Sequence, residues 1–357
     1  MNRAVPPPSP WLPTAPCTPG RRCAAHPDPE TAAPADFRAA PAPLACARLA
    51  AGLATVLLGV ALLPAAALLP GAARHPLVRL WARAVVRAFG VRLTVTGGGP
   101  PAGGPALVVA NHVSWLDIPV VAAVLPGRMV AKREVRGWPV LGPLAALGGT
   151  LFIDRDGLRR LPGTVREVAG ALAAGGRVTA FPEGSTWCGR AGGWFRPALF
   201  QAAVDTGSDI QPVRIAYRPE GAAAYVGEDP LGASLWRVAR TPGLAVEIRM
   251  LEPISAIRHP DRRLLASAAQ RAVDPTAPHR PARRLPASSR QPAVPRQPSP
   301  GTRTSPAVPA SPAVQAVPAV PASYRAVASD SANLPSSSVH HRASSKPASA
   351  SSARTPS

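Results

Sequence analysis

The feature that most limits how this chain can fold is a long uncharged stretch near its amino terminus. Residues 49–73 carry no charged side chain and are mostly Leu, Ala and Val. In a helix, about 20 such residues span the hydrocarbon core of a bilayer. The stretch lies behind a proline-rich segment, too far from Met1 for an ordinary signal peptide. It predicts a membrane-anchoring helix, kinked or re-entrant near Pro64. The alternative is a helix buried in a soluble core.

Arginines repeat every four residues directly after this stretch. Arg79, Arg83 and Arg87 lie on one side of a predicted helix, and apolar residues lie on the other side. Such an amphipathic helix suits the headgroup layer of a membrane. Because positive charge follows the anchor, we expect residues 44–90 to hold the protein at the cell membrane, with the domain that follows on the cytoplasmic face.

The two ends of the chain differ in composition from its middle. Residues 1–43 and 276–357 are rich in Pro and Ala, with added Thr or Ser, and show no apolar period. Segments of this kind bury too little apolar surface to offset the entropy lost on folding. We therefore expect two disordered tails, the anchoring helices at 44–90 and one folded domain at 91–275.

The net charge of the chain is +21, and the carboxyl-terminal tail contributes ten basic residues against one acid, Asp330. Basic segments attract anionic lipid or nucleic acid. No aromatic residues interleave with the arginines and no nucleic-acid motif occurs, so the charge favours a lipid bilayer over a specific nucleic acid. A genomic preference for arginine codons explains the basic tail equally well.

Four cysteines, Cys17, Cys23, Cys46 and Cys188, show no metal-ligand spacing and no companion histidines. We therefore expect no metal and no resident cofactor. A disulfide framework is not expected either, which is typical of a reducing compartment. Cys188 lies near the chemical motifs described below, but nothing nearby would activate its thiol.

Short apolar runs alternate with helical patterns through the predicted domain. Residues 106–110 and 177–181 have the pattern of buried strands, and residues 161–174 that of a helix closed by Gly175. This alternation predicts an α/β fold with a central, mostly parallel or mixed sheet flanked by helices. Functional residues are expected at the strand ends.

A histidine and an aspartate follow the first of these strands. Residues 111–117 read Asn-His-Val-Ser-Trp-Leu-Asp, which places His112 and Asp117 across a strand-to-helix turn. There the aspartate can fix the imidazole tautomer and stabilise the imidazolium, so His112 is a competent general base for an alcohol. The Gly-x-Ser-x-Gly motif is absent, so the alcohol should belong to the substrate. Taken alone, a capping histidine beside a solvated aspartate explains this motif as well.

Three further motifs follow other predicted strands. Residues 181–186 read Phe-Pro-Glu-Gly-Ser-Thr, which is either a polar turn whose backbone N–H groups suit an anionic headgroup or an ordinary loop. Residues 148–155 end a strand at Asp154 and Arg155. Lys132, one of only two lysines, follows a third strand in a chain that otherwise uses arginine.

Taken in order, these motifs resemble the glycerophospholipid acyltransferase family, the 1-acylglycerol-3-phosphate acyltransferase group, over residues 45–273. That family carries Asn-His-x-x-x-x-Asp, Gly-x-x-x-Ile-Asp-Arg and Phe-Pro-Glu-Gly-Thr-Arg blocks, and a Pro-Val step that is residues 212–213 here. The resemblance implies transfer of a fatty acyl chain from acyl-CoA or acyl-carrier protein to a lysolipid hydroxyl. The expected acceptor is 1-acylglycerol-3-phosphate, which would become phosphatidate.

The resemblance also implies roles for individual residues. His112 would be the general base and Asp117 its orienting partner. The acceptor would be bound by a set of mostly polar residues: Lys132, Arg155, Glu183, Gly184, Ser185 and Thr186.

The chain departs from the family pattern at one position. Ser185 and Thr186 are followed by Trp187, where the family has an arginine after Glu-Gly-Thr that is expected to help bind the acceptor phosphate. Without a bidentate guanidinium a phosphate binds less well. Either Arg190 or Arg196 substitutes, or the acceptor carries no phosphomonoester. The Phe-Pro-Glu-Gly-Ser-Thr variant also resembles the branch that acylates lyso-ornithine lipids.

Two interpretations of another class stay open. One is a non-catalytic lipid-binding membrane protein whose working part is the basic tail. The other is a hydrolase that uses the same site with water as the acceptor.

Overall fold

The structure of the protein is a computed structural model that describes residues 14–20, 23–26, 39–98, 104–139, 141–154, 157 and 159–275. Most of residues 1–38, the predicted site residue Arg155 and the basic tail at 276–357 lie outside the described residues. Within residues 1–43, the two described segments at 14–20 and 23–26 contain the buried Cys17 and Cys23.

Two antiparallel helices precede the sheet. Helix α1 (Ala42–Ala67) continues through Pro64, and α2 (Gly71–Ala88) returns along it. Two glycines of α1 permit this approach, because a Cβ atom at Gly59 would lie 2.2 Å from the Trp81 indole nitrogen. A Cβ atom at Gly52 would meet the Phe89 ring at 2.5 Å. The Trp81 indole N–H also donates to the carbonyl of Thr55 at 2.9 Å, so the two helices form one hairpin.

Helix α1 is long and apolar enough to cross a membrane, judged by its length and composition. Only 6% of its most apolar stretch is buried, so α1 is not packed inside the core of the described residues. Its exposed side chains include a run of leucines: Leu44, Leu53, Leu57, Leu58 and Leu62.

Within the described residues the sheet has seven strands, in the order β1-β7-β6-β2-β5-β3-β4. The strands are β1 (Arg92–Gly97), β2 (Ala106–Ala110), β3 (Arg128–Lys132), β4 (Leu151–Ile153), β5 (Arg177–Ala180), β6 (Asp209–Arg218) and β7 (Ala245–Met250). Every neighbouring pair is parallel except β6 and β7. The predicted mixed sheet is therefore confirmed.

Helices cover the sheet: α3 (Asp117–Ala122), α4 (Leu141–Leu147), α5 (Leu161–Ala173), α6 (Phe200–Thr206), α7 (Leu231–Arg240) and α8 (Arg262–Val273). A short 3-10 helix (Arg133–Gly137) follows β3. Strand β2 contributes Leu107 and Val109 to one hydrophobic cluster and Val108 and Ala110 to the other. Because both faces of β2 are buried, its sequence is continuously apolar.

The sequence pattern at residues 196–206, followed by Gly207, predicts a helix, but α6 begins only at Phe200. Pro197 cannot donate a backbone hydrogen bond and disfavours helical geometry in the residue before it.

The sheet brings the predicted motifs to one edge. Strands β2, β5, β3 and β4 are parallel, so their carboxyl ends all point the same way. Strand β6 is parallel to β2, where Ala110 pairs with Val213, and continues to Arg218 beyond the end of β2. The last residues of β6 therefore lie beside the residues that follow β2.

Candidate active site

His112 and Asp117 meet at the carboxyl end of β2. The Nδ1 atom of His112 lies 2.8 Å from Oδ2 of Asp117, which is fully buried at the start of α3. The same carboxylate oxygen accepts the backbone N–H groups of Val113 at 2.6 Å and Ser114 at 2.9 Å. Asp117 thus fixes the strand-to-helix turn and the imidazole together. With Nδ1 engaged, Nε2 is the nitrogen that can accept a proton.

Tyr217 completes this network, although none of the predicted motifs contains it. Its hydroxyl donates to the other Asp117 oxygen, Oδ1, at 2.6 Å. Burial first, and then the nearby Asp117 charge, raise the pKa of Tyr217 well above its usual value. The tyrosine therefore remains a donor at neutral pH. The available sequence signal was its place at the end of an apolar alternation with Val213 and Ile215.

The ring of His112 is also held from its flat side. It stacks on Phe181 with ring centroids 4.1 Å apart and planes inclined by 15°. The amide of Asn111 donates to the carbonyl of Ile215 at 2.9 Å, and its oxygen accepts the Ile215 N–H at 2.8 Å. This pair of bonds ties the end of β2 to β6.

Glu183 is buried behind the histidine. Its Oε2 accepts the backbone N–H of His112 at 2.8 Å, and its Oε1 accepts that of Gly193 at 3.0 Å. Burial is the main cause that raises the pKa of Glu183 from 4.5 to about 8, with smaller contributions from the charges of Asp117 and Asp274. The two N–H bonds oppose that rise. Both contacts are to backbone, so Glu183 positions His112.

The turn after Glu183 is shaped by its own backbone. Gly184 has a φ of +77°, a left-handed conformation, and its N–H donates to the Phe181 carbonyl at 3.0 Å. Ser185 is half-buried. The Thr186 hydroxyl donates to the Tyr225 carbonyl. These residues form a tight polar turn, as the motif predicts. The hydrogen bond from the Thr186 hydroxyl fixes this turn to the Tyr225 backbone.

Beside His112 lies a small cavity of about 110 Å³. Basic and carboxyl side chains line it close to the dyad of His112 and Asp117: Glu183, Arg190, Arg214, Arg218, Glu220 and Asp274. Lys132 is exposed at the end of β3, two strands from β2, and does not line this cavity.

A second, larger groove of about 630 Å³ lies at the β4 edge of the sheet. Arginines dominate its lining: Arg128, Arg133, Arg136, Arg159, Arg160 and Arg166. Asp154 accepts hydrogen bonds from Arg160 at 2.8 Å and Arg133 at 3.2 Å. The backbone N–H of Gly157, together with these arginines, holds the pKa of Asp154 below its usual value.

One group of side chains has the chemistry of metal ligands. The ligand atoms of Cys17, His26 and Cys188 all lie within 4.8 Å of one another. The expectation that the cysteines have no companion histidine is therefore wrong. The described segments 14–20 and 23–26 carry Cys17 and His26, and only the fold brings these residues close to Cys188.

Comparison with known proteins places this site in a family. Residues 92–216 match the acyltransferase family model. The chain is 40% identical to a lyso-ornithine lipid O-acyltransferase of Pseudomonas aeruginosa, over 57% of this chain and 81% of that protein. It is 33% identical to a 1-acyl-sn-glycerol-3-phosphate acyltransferase of Neisseria meningitidis, over 54% of this chain and 76% of that protein.

The fold also has a solved counterpart. The crystal structure of the 1-acyl-sn-glycerophosphate acyltransferase PlsC from Thermotoga maritima has a TM-score of 0.52 and 21% identity, covering 64% of this chain and 91% of that chain. At this identity the likeness concerns the fold alone. The relatives with 33–40% identity are matched over most of their length, and the chain therefore belongs to the acyltransferase family.

Proposed function

We propose that this protein is a lysolipid O-acyltransferase that uses a fatty acyl thioester, acyl-CoA or acyl-carrier protein, as its donor. The observation that carries the proposal is the hydrogen-bonded chain from Tyr217 through Asp117 to His112 at the mouth of a cavity. A histidine oriented by a buried carboxylate is the arrangement that removes a proton from a hydroxyl.

In the proposed step, Nε2 of His112 takes the proton of the acceptor hydroxyl while its oxygen attacks the thioester carbonyl. The carbon–sulfur bond then breaks, and the leaving thiolate takes the proton back from the imidazolium. Asp117 stabilises the imidazolium that exists between these events.

The described residues support direct transfer without an acyl-enzyme. Ser114 is the serine nearest to the dyad in sequence, but it is fully buried and its hydroxyl accepts the Leu116 N–H at 3.3 Å. Cys188 is also fully buried and points to Cys17 and His26. Neither side chain is placed to be acylated.

We propose 1-acylglycerol-3-phosphate as the first acceptor, because the cavity beside His112 is lined by Arg190, Arg214 and Arg218. Of the two candidates for the missing motif arginine, Arg190 lines the cavity, whereas Arg196 is exposed and does not. A guanidinium at this place would bind the phosphate of the acceptor while its hydroxyl faces the histidine.

A second acceptor, lyso-ornithine lipid, is favoured by a different observation. The cavity also presents the carboxylates of Glu220 and Asp274. Ornithine carries an ammonium and a carboxylate, so its headgroup would match a lining of mixed charge. The 40% identity to a lyso-ornithine lipid O-acyltransferase supports the same acceptor.

The helix hairpin supports a membrane location with the active site on the cytoplasmic face. The exposed leucines of α1 form an apolar surface that is unusual for a soluble protein. Arg79 links α2 to the domain, because its Nε donates to the Val124 carbonyl at 3.2 Å. Arg83 and Arg87 are exposed, as headgroup contacts require.

The test uses membranes that contain the full-length protein and offers labelled acyl-CoA with lysophosphatidate, with lyso-ornithine lipid, or with no acceptor. Transfer to lysophosphatidate that falls at least about tenfold in Arg190→Ala, a loss of about 1.4 kcal/mol of binding, supports the first proposal. Transfer only to lyso-ornithine lipid would contradict 1-acylglycerol-3-phosphate as the acceptor and support lyso-ornithine lipid instead. Thioester cleavage without an acceptor indicates a hydrolase, and no turnover of any kind indicates a non-catalytic lipid-binding protein.

A further inference from the structure

The described segments before α1 contribute thiol and imidazole side chains to a buried group next to the loop that follows Glu183. Cys17 and Cys23 are almost fully buried and belong to the hydrophobic cluster that also contains Cys188. Cys188 is fully buried and directly follows Trp187, whose N–H donates to the His112 carbonyl at 2.7 Å. Cys188 is therefore the next residue in the chain after one that bonds directly to the backbone of the catalytic histidine.

We propose that Cys17, His26 and Cys188 bind a structural zinc ion, with Cys23 as the fourth ligand. The ligand atoms of Cys17, His26 and Cys188 already converge within 4.8 Å of one another. Two thiolates and an imidazole are ligands that zinc prefers, and four-coordinate Cys₃His sites are typical of structural zinc. Neither the family assignment nor the proposed acyl transfer requires this ion.

The imidazole of His26 supplies an independent observation. Its Nε2 atom is buried and has no hydrogen-bond partner among the described residues. A buried polar atom without a partner is costly and rare in folded proteins. A metal ion bound by this side chain would remove that cost.

The turn that carries His26 also carries Cys23. The His26 N–H donates to the Cys23 carbonyl at 3.2 Å, which closes a Cys-x-x-His turn. The Thr18 N–H donates to the Cys23 sulfur at 3.4 Å. Backbone N–H bonds of this kind orient a thiolate for a metal, as outer-shell contacts commonly do. The sulfur of Cys23 is not among the three ligand atoms that converge within 4.8 Å, and we include it as the fourth ligand because it shares this turn with His26.

A zinc ion at this place would position the loop that contacts His112. The ion would join the segment before α1 to the loop that begins at Glu183 and continues through Trp187. That loop supplies the two contacts to the His112 backbone, from the carboxylate of Glu183 and the N–H of Trp187. We expect the zinc to hold the loop in place and to take no part in acyl transfer.

The first experiment measures zinc in the full-length protein, purified in detergent with a reductant, by elemental mass spectrometry. We expect about one zinc per chain, because structural sites of this type bind zinc tightly. Cobalt substitution should produce the thiolate-to-cobalt absorption of a tetrahedral sulfur site. Both measurements use the wild-type chain, so they do not depend on whether any variant folds.

The second experiment compares ligand variants with matched controls. Cys17→Ser, His26→Ala and Cys188→Ser should each lower zinc affinity by at least about tenfold. Cys46→Ser and His259→Ala replace exposed residues outside the cluster and should retain the metal. Reconstitution of the zinc-free wild type with one equivalent of zinc should raise its melting temperature.

Three results would overturn the proposal. The first is wild-type protein that contains no zinc and takes up none after reduction. The second is zinc that remains in all three ligand variants, which would place it elsewhere. The third is a disulfide between Cys17 and Cys188 in the freshly isolated protein. None of these results bears on acyl transfer, which is measured separately.

Discussion

The most informative single substitution is Asp117→Asn, because it removes a charge while keeping the shape of the side chain. One oxygen of the Asp117 carboxylate bonds to His112 Nδ1 and accepts the backbone N–H groups of Val113 and Ser114. Its other oxygen accepts a hydrogen bond from the Tyr217 hydroxyl. An asparagine can place its oxygen toward the three N–H donors, and the hydroxyl of Tyr217 can rotate to accept its NH₂ group. The turn and the orientation of the histidine should therefore survive.

What the variant loses is the attraction between a negative carboxylate and the imidazolium that forms during transfer. At an effective dielectric constant of about 20, two unit charges about 4 Å apart attract by about 4 kcal/mol. Each 1.36 kcal/mol in the barrier changes the rate about tenfold. The substitution should therefore lower kcat by about 10³-fold, with little change in KM for the acyl donor.

The assay compares initial rates of acyl transfer in membranes that contain equal amounts of each full-length variant. Asp229→Asn is the matched control, since Asp229 is a buried carboxylate paired with Arg237 at 2.5 Å and does not line the cavity. If Asp117→Asn keeps kcat within tenfold of the wild type while remaining folded, the charge does not act on His112 and the reasoning is wrong.

Three other outcomes are expected. Tyr217→Phe removes a buried bond to a carboxylate and should lower the free energy of unfolding by about 1.5–3 kcal/mol, measured by denaturant titration in detergent. Glu183 holds its proton more tightly when folded, with a pKa raised from 4.5 to about 8, so its stabilising contribution is lost as the pH rises through that range. Wild-type stability relative to Glu183→Gln should therefore fall towards pH 8, and a constant difference in melting temperature would contradict this. Gly59→Ala drives a Cβ atom into the Trp81 ring and should lower the free energy of unfolding by about 1–3 kcal/mol, whereas Gly232→Ala, which meets nothing within 4 Å, should not.

Local sequence was enough to locate the dyad. His112 and Asp117 are five residues apart, and the turn between them is fixed by Asp117 itself, which bonds to Val113 N and Ser114 N. The same holds for the strand at 106–110, since a short continuous apolar run is typical of a strand that is buried on both faces of a parallel sheet. Contacts made within a few residues can be read from spacing.

Contacts between distant residues could not be predicted in this way. Tyr217 meets Asp117 because β6 pairs with β2 and continues past its end. The pairing register of strands depends on the whole sheet. The apolar alternation with Val213 and Ile215 indicates that Tyr217 is buried, but it does not identify Asp117 as its partner. Cys188 and His26 are far apart in the sequence, and likewise only the fold brings their side chains together.

The role of Glu183 shows a further limit. The motif resemblance predicts acceptor binding, which stays a prediction; in the structure both oxygens of Glu183 accept backbone N–H groups, while the residue also lines the cavity. A carboxylate looks the same in sequence whether it faces a substrate or supports a neighbouring residue. Burial decides between these roles, and burial is a property of the fold.

Acyl transfer by His112→Ala, measured beside wild type and the exposed-histidine control His259→Ala, shows directly whether His112 is the general base. Equal expression and membrane insertion are verified for all three. General-base removal should cost at least about 10²-fold in rate, while the control stays at wild-type activity. Full activity in His112→Ala would contradict the account, because another group would then have to deprotonate the acceptor hydroxyl.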